Sequence, residues 1–519
     1  MNASPNFSHP LPIYDLFIIG GGINGTGIAA DAAGRGLSVM LCEQGDLAGA
    51  TSSASSKLVH GGLRYLEHYE FRLVKEALAE RETLLRIAPH LVWPLRFTLP
   101  HRPHLRPAWM IRSGLFLYDY LASRVTLPNS KGVKFEHCSP LQPTMHKGFE
   151  YSDCWVDDAR LVIHNALTAQ LHHANIATRT RCIQAARIVD QGVWQITCEN
   201  QLTGEQYQVL ARGVVNAAGP WVNRVFDQSL AQNAPHGIRL IKGSHIVVKR
   251  FHQHEGAFIL QNTDRRIVFV LPFQDDFCLI GTTDQEYHGD PADVAIDQAE
   301  IDYLLKIVNE HFVSQLRQQD IVHDFSGVRP LLDDESDDPS AITRDYTLEL
   351  DHIADGLPLL SIYGGKITTY RKLAEAALHK LQPFFPQMGK RWTAEHYLVG
   401  ASAEYPTLVA IQQHLCQRYP NLPESMLIRF SRSYGLLACD LLDDIQQTTE
   451  LGQHFGADLY AREVDYLMQQ EWACHAGDIL WRRTKLGLRL NPDQVEQLAH
   501  YMQARQMPSS SSSAAKFES

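Results

Sequence analysis

YDLFIIGGGINGTGIAADAAGRGLSVMLCE, residues 14–43, decides the fold. Residues 14–19 are an apolar run that ends in Gly20-Gly21-Gly22. Gly20, Gly22 and Gly25 form G-x-G-x-x-G, with Gly27 two further on. Residues 28–33 are small and helix-favouring, 34–36 close the helix, and 37–42 are a second apolar run ending at Glu43. Strand, glycine turn, helix, strand and acid, in that order, spell a dinucleotide-binding βαβ unit. Gly20 makes the tight turn, Gly22 lets backbone approach a diphosphate, and Gly25 lets helix pack on strand. The helix N-terminus offers unpaired N–H groups and the positive end of its dipole to phosphate. Glu43 can accept the ribose hydroxyls of an adenosine, and Asn24 and Gln44 are assigned to the same site. A glycine turn alone is common; the complete context makes this one specific. These residues do not separate FAD from NAD, but the position near the chain start and the lack of a second fingerprint favour FAD.

At 519 residues the chain exceeds one core, so two or three domains are expected. Apolar content of 45% and charged content of 20% are those of an ordinary globular protein. A net charge of −11 argues against nucleic acid as a bulk partner. Nine scattered cysteines without a C-x-x-C suit a reducing cytoplasm, not a disulfide framework or a zinc site. The first 13 residues lack the basic start and apolar centre of a signal peptide. No window approaches the ~18 to 20 apolar residues that span a bilayer. The serine-rich tail is expected to be disordered.

The cofactor module continues downstream. ARGVVNAAGPW, residues 211–221, ends a strand in residues small enough for a cofactor to lie against, with Gly219 at the turn. LLSIYGGKITTYRKLAE, residues 359–375, is again strand, glycine turn and helix. Between these lie β-rich stretches at 246–250, 266–273 and 277–284. The expected fold is an α/β FAD-binding, Rossmann-like domain with an inserted β-rich substrate domain and a helical C-terminal domain. The boundaries are 1–100 for the first part of the FAD domain, 101–210 for a mixed region and 211–225 for an FAD-domain strand. The substrate domain is 226–350, the last FAD part 351–385, the helical domain 386–507 and the tail 508–519.

Candidate chemistry lies in four segments. TSSASSKLVHGGLRYLEHYEF, residues 51–71, places five hydroxyls in six positions and then Lys57, His60 and a Gly-Gly pair. Following the acid-ended strand, this loop is read as cofactor contact through Thr51, Ser52, Ser56, Lys57 and His60. LIKGSHIVV puts His245 at the start of an apolar strand, either as a satisfied core histidine or as acceptor of an alcohol proton. FSGVRPLLDDESDDPSAITRDY carries Arg329 and Arg344, whose guanidinium groups can bind phosphate or pair with the acids between them. In YGGKITT, Gly365, Lys366, Ile367 and Thr368 would meet the ring, and the following helix would direct its N-terminus there. No histidine or cysteine set has metal spacing, and P-loop and G-x-S-x-G motifs are absent from the sequence.

SSASSKLVHGGLRYLEHYEFRLVKEALAER, ARGVVNAAGPWV, RLIKGSHIVV, SGVRPLL, AITRDY and YGGKITTYRKLAE, in this order, closely resemble the aerobic FAD-dependent glycerol-3-phosphate dehydrogenases of bacteria. The likeness runs from about residue 14 to 505. It implies a fold like that of glycine and D-amino-acid oxidases, and a homodimer. It implies oxidation of sn-glycerol 3-phosphate to dihydroxyacetone phosphate by hydride transfer to FAD N5. Electrons would pass to a membrane quinone, ubiquinone or menaquinone, with the protein peripheral on the cytoplasmic face of the inner membrane. Arg64, Tyr65, His245, Arg329, Arg344 and Lys366 match the family's substrate pocket. Arg344 would hold phosphate, supported by Arg64 and Tyr65. His245 would be the base and Arg329 would polarise the alkoxide, or the two would exchange roles, although arginine is a poor base. FAD is expected to bind non-covalently. Residues 101–124, with four arginines among Trp109, Phe116 and Tyr118, read as an interfacial segment or as a core helix with a charged edge. Rival functions are an O2-using oxidase of the same substrate, an amine oxidase, and a non-catalytic flavin-binding regulator.

Overall fold

The computed structural model describes residues 12–62, 70–102, 105, 107–122, 125–135, 139–264, 266–333, 346–353 and 356–506. Arg64, Tyr65, Arg344 and the serine-rich tail lie outside the described residues.

The opening motif forms as its residue types demand. Strand Ile13–Ile19 pairs in parallel with Val39–Cys42 on one side and Gln206–Asn216 on the other. Gly356–Tyr363 joins in parallel beyond the latter, and Asn175–Ala177 beyond the former. A parallel sheet must be covered on both faces. One face takes helices Ile23–Gly34, Asp158–Leu171 and Tyr370–Leu381, which bury Ala29, Ala32, Val162, Ala166, Leu373 and Leu378 over Leu16, Ile18 and Leu41. The small residues of the first helix let its neighbours approach: a Cβ on Gly27 would meet the Tyr370 ring at 2.7 Å. The other face is covered by the antiparallel pair Thr180–Ile188 and Val193–Asn200, which supplies Trp194 and Ile196.

The second sheet is largely antiparallel, in the order Gln285–Tyr287, Ile238–Lys249, Phe277–Gly281, Ile267–Phe273, Ala257–Gln261, Val92–Pro100, Lys147–Val156, Leu58–Val59. Ile321–Leu332 pairs along nearly the whole of Ile238–Lys249. Helix Gln298–His311 buries Leu304, Ile307 and Val308 on one face of this sheet. Helices Phe71–Ile87 and Ala108–Tyr120 bury Val74, Leu78, Ile111 and Leu115 on the other.

The structure redraws the expected domain limits. The β-rich domain is not confined to 226–350, since residues 58–59, 92–100 and 147–156 are strands of the same sheet. Within 101–210, residues 147–156 lie in the second sheet and residues 175–200 in the FAD-domain sheet. The start of the helical domain also moves. Phe385 and Leu398 are buried in the FAD-domain core, and the Trp392 indole donates to the Asp31 carbonyl at 3.2 Å. A separate C-terminal core begins only with Ile411 and Leu415 and runs to Met502. Within it lie helices Glu424–Ser433, Ala461–Gln470 and Pro492–Gln506.

Candidate active site

The glycine turn opens onto a cleft of about 970 Å³. Gly20, Gly22, Asn24, Glu43, Gln44, Thr51, Ser52, Lys57, Gly219 and Gly365 all line it. Gly20 has φ +113° and a Cβ there would stand 2.5 Å from the Ala217 carbonyl oxygen, so only glycine makes this turn. Gly25 is outside the cleft and supplies the close helix–strand approach: its Cβ would lie 1.9 Å from the Gly20 oxygen. Glu43 is held by its surroundings, its oxygens accepting the Gly21 N–H at 2.7 Å and the Gly45 N–H at 2.8 Å. Burial raises its pKa, while these two donors lower it.

The hydroxyl loop is braced more than it is free. Thr51 donates to the Val328 carbonyl at 2.7 Å, Ser52 accepts from the Ile23 N–H at 3.0 Å, and Ser55 donates to Asp158 at 2.7 Å. Lys57, expected as a cofactor cation, spends its buried ammonium on Asp158 at 2.8 Å and on the Ser53 carbonyl at 2.9 Å. It holds the loop's shape, with its own backbone at φ +57°. The third glycine turn approaches from the far side of the cleft. Asn24 donates to the Gly364 carbonyl at 3.0 Å, and Thr368 accepts from the His60 N–H at 3.4 Å. Lys366 leads into the short turn Ile367–Thr369, and the helix begins at Tyr370.

His245 is not at a strand start but in the middle of Ile238–Lys249, opposite Gly281 on one neighbour and Phe325 on the other. Gly281 makes room for it: a Cβ there would meet the His245 ring at 2.2 Å. The period of two puts Ile241, Gly243 and His245 on one face, and Arg329, Gly327, Phe325 and His323 beside them. That face looks onto the cofactor loop, since a Cβ on Gly327 would meet Ala54 Cβ at 2.7 Å. His245 Nε2 lies 2.9 Å from Ser56 Oγ, and its ring stacks on Phe325 at 4.9 Å between centroids. Phe325 in turn lines the cleft. Burial, with Lys57 and Arg329 adding positive charge, pushes the His245 imidazole down to about 3. Arg329 extends along the same face and donates to Asp284 at 2.9 Å. Of the six expected pocket residues, His245 and Arg329 are thus brought to one face, while Lys366 follows Gly365, which lines the cleft, without lining it itself. Arg64, Tyr65 and Arg344 lie outside the described residues.

The cleft suits FAD. Gly219, at φ +56°, has nothing within 4 Å of where a Cβ would be, leaving open space along its backbone. An acid, a glycine turn and a helix N-terminus stand at one end, as an adenosine diphosphate moiety requires. FAD, when bound, supplies a two-electron acceptor. Sequence reasoning missed part of the wall: Arg179, Trp221, His323 and, from the helical domain, Trp481, Arg482, Lys485 and Leu488. None of these stands in a motif; only packing places them there.

Comparison with known proteins agrees with this geometry. A family model described as FAD dependent oxidoreductase matches residues 15–371, and one described as C-terminal domain of alpha-glycerophosphate oxidase matches 391–505. A glycerol-3-phosphate dehydrogenase of Pseudomonas aeruginosa is 59% identical over 492 residues, covering 95% of each chain. A D-erythritol 1-phosphate dehydrogenase of Brucella abortus is 51% identical over 482 residues, covering 92% of this chain and 95% of its own. The crystal structure of the Bacillus halodurans glycerol-3-phosphate dehydrogenase with FAD superposes with a TM-score of 0.73 at 27% identity, covering 95% of this chain and 90% of that one. A glycine oxidase of Bacillus cereus shares the fold, with a TM-score of 0.52 at 16% identity over 73% of this chain and 98% of its own.

Proposed function

Because this chain belongs to the FAD-dependent glycerol-3-phosphate dehydrogenase family, we propose that it oxidises sn-glycerol 3-phosphate at C2 and passes the electrons to a membrane quinone. The observation that carries the proposal is the placement of His245, sealed behind Phe325 on the sheet face that meets the cofactor loop, with its Nε2 on the Ser56 hydroxyl. When bound, FAD offers N5 as acceptor for the C2 hydride. The chain's own residues supply the rest. Arg344, with Arg64 and Tyr65, holds the substrate phosphate, and Lys366 adds a cation. His245 takes the C2 hydroxyl proton, directly or through Ser56 Oγ. Arg329 stabilises the oxygen as its charge grows. An imidazole at about 3 is a weak base; a phosphate dianion entering beside it favours the charged form and raises it toward working range.

The acceptor reading is supported by the outer face of helix Ala108–Tyr120. Trp109 is 69%, Phe116 57% and Tyr120 66% exposed, next to Met110 and Leu117. Clustered exposed apolar groups of this kind suit a lipid surface. Of the four arginines expected here, two are described, and Arg112 is exposed on the same helix. Arg112 donates to Ser130 at 2.8 Å and Arg102 pairs with Glu310, while Arg106 and Arg124 lie outside the described residues. Tyr118 is corrected from the interfacial set: it is buried and donates to Asp153 at 2.7 Å. No helix among the described residues is long and apolar enough to cross a membrane. The proposed assembly is a homodimer, peripheral on the cytoplasmic face of the inner membrane.

Anaerobic addition of glycerol 3-phosphate should bleach the oxidised flavin absorbance. Bleaching by D-erythritol 1-phosphate but not by glycerol 3-phosphate would reassign the substrate. Reoxidation by a soluble quinone, much faster than by oxygen, is expected; the reverse order would make the protein an oxidase. Vesicle flotation should fail for Trp109→Ala/Phe116→Ala, and undiminished flotation would move the docking face elsewhere.

A further inference from the structure

The helical domain has its own core, yet part of it reaches the cofactor. Residues 478–488 stay anchored in that core through Ile479, Leu480 and Leu486, pass through the turn Asp478–Arg483 and Lys485 at φ +59°, and run beside the loop that follows Glu43. Trp481, Arg482, Lys485 and Leu488 line the same cleft as Gly20, Glu43 and Gly219. The attachment is dense. Arg482 and Arg483 both donate to Asp46 Oδ2, three residues after the acid of the opening motif. Asp478 takes Arg482 and, at 2.8 Å, Arg179. Lys485 donates to Asp157 Oδ2 at 2.6 Å, and Asp157 caps helix Asp158–Leu171 by accepting the Arg160 N–H at 3.1 Å. Trp481 stacks on His323 at 3.9 Å between centroids and 9° between planes, and His323 is two residues from Phe325 on the strand that carries Arg329.

Two features make this a binding wall and not only a domain contact. In the cluster, Arg179, Arg482, Arg483 and Lys485 face Asp46, Asp157 and Asp478, and Glu43 acts on Arg179 and Asp46 as well, so the charges balance and what matters is which of them reach the cleft. Arg179, Arg482 and Lys485 are on the cleft side of it. Guanidinium and ammonium donors at the wall of a dinucleotide cleft suit a diphosphate. Asp46 also lines the cleft, is 3% exposed, and its Oδ1 has no hydrogen-bond partner among the described residues. A buried unpaired acceptor beside a dinucleotide site is matched by a hydroxyl or amino donor of the adenosine end.

We infer that residues 478–488 are a third wall of the FAD site, clamping the loop after Glu43 and adding Trp481, Arg482, Lys485 and Leu488 to the cleft, so that cofactor retention depends on the C-terminal domain. The helical domain is then part of the flavin site, whichever substrate the flavin serves.

The test is FAD titration of the full-length apoprotein by flavin fluorescence, with circular dichroism as the fold control. Arg482→Gln raises the FAD dissociation constant about tenfold, and added salt shrinks the difference. Trp481→Ala raises it by several fold. Arg432→Gln, which breaks the domain-crossing pair with Asp275 away from the cleft, leaves it unchanged. Parental affinity in both Arg482→Gln and Trp481→Ala overturns the inference, as does an equal loss in Arg432→Gln. Should the Arg482 variant not fold, amide exchange of the unsubstituted protein decides. Amides 478–488 exchange more slowly with FAD than without; indifference to FAD overturns the inference. Neither readout uses turnover, so failure of the substrate assignment leaves it standing.

Discussion

His245 and His164 are both fully buried, and burial pushes each imidazole down to about 3. One sits behind Phe325, which lines the cofactor cleft, and the other at the seam between the FAD domain and the helical domain. His164 is locked. The Arg160 guanidinium, which can only donate, reaches its Nε2 at 2.9 Å, so the ring proton must sit on Nδ1, toward the Val399 carbonyl at 2.8 Å. Arg160 in turn is bidentate to Glu471, fully buried at that seam. His245 is not locked. Among the described residues its one hydrogen-bond partner is a serine hydroxyl, which can donate or accept, and Nδ1 has none. His90, the neighbour of His164, also has a partnerless Nδ1, so an orphan nitrogen alone does not mark a site. A perturbed pKa does not mark one either. What separates the two is a single hydroxyl partner one ring behind the cleft against a ring enclosed by Arg160, His90 and the Val399 and Ser433 carbonyls inside a sealed interface.

The largest expected effect breaks the symmetry in rate. His245→Asn should slow flavin reduction by about 10² to 10⁴-fold with FAD still bound, while His164→Asn leaves the rate constant unchanged in stopped-flow mixing. Comparable slowing by both would show that the partner geometry does not decide. Next, Glu471→Gln strands the buried Arg160 charge and should cost about 3 to 5 kcal/mol in denaturant unfolding, with reduction by the folded fraction intact. A loss below 1 kcal/mol would mean the seam is wet.

In pH the two histidines should behave alike. Each has a folded pKa of about 3, below its unfolded value near 6.5, so the unfolded chain binds the extra proton in between. Their stability contribution is therefore whole above pH ~6.5 and is lost as pH falls toward ~3, at about 1.4 kcal/mol per unit for each ring. Replacing either by Asn should flatten the acid limb of stability by that same slope. Different slopes would separate their environments after all. The smallest effect is Ser56→Ala, about tenfold on flavin reduction, comparable to one hydrogen bond. No change would remove Ser56 from the proton path and leave His245 acting directly.

Much of the cofactor half was readable because its demands are local. Gly20 and Gly25 answer to backbone clashes within the motif and with Ala217, and the spacing to Glu43 follows from one strand, one turn and one helix. The substrate half was readable only as residue types. His245 and Arg329 meet because strands 238–249 and 321–332 pair in a register that sets Ile241 opposite Arg329. Strand Val92–Pro100 was hidden by Pro94, which argues against a strand interior. Only Phe97 and Thr98 pair with the neighbour Ala257–Gln261, so Pro94 lies where that side of the ladder is open. Lys57 was assigned to the cofactor from its position in the loop, but Asp158, a hundred residues on, claims its charge.

The sequence alone determined the dinucleotide turn, the order of the modules and the helical character of the C-terminal domain. These rest on backbone conformation and on periodicities within one segment. Tertiary structure alone decided that His245 has a labile partner and His164 a fixed one, that Tyr118 points inward, and that Trp481 and Arg482 wall a cleft opened by residue 20. Hydrogen-bond partners, local dielectric and charge are properties of neighbours in space, and those neighbours come from strands and domains far apart along the chain.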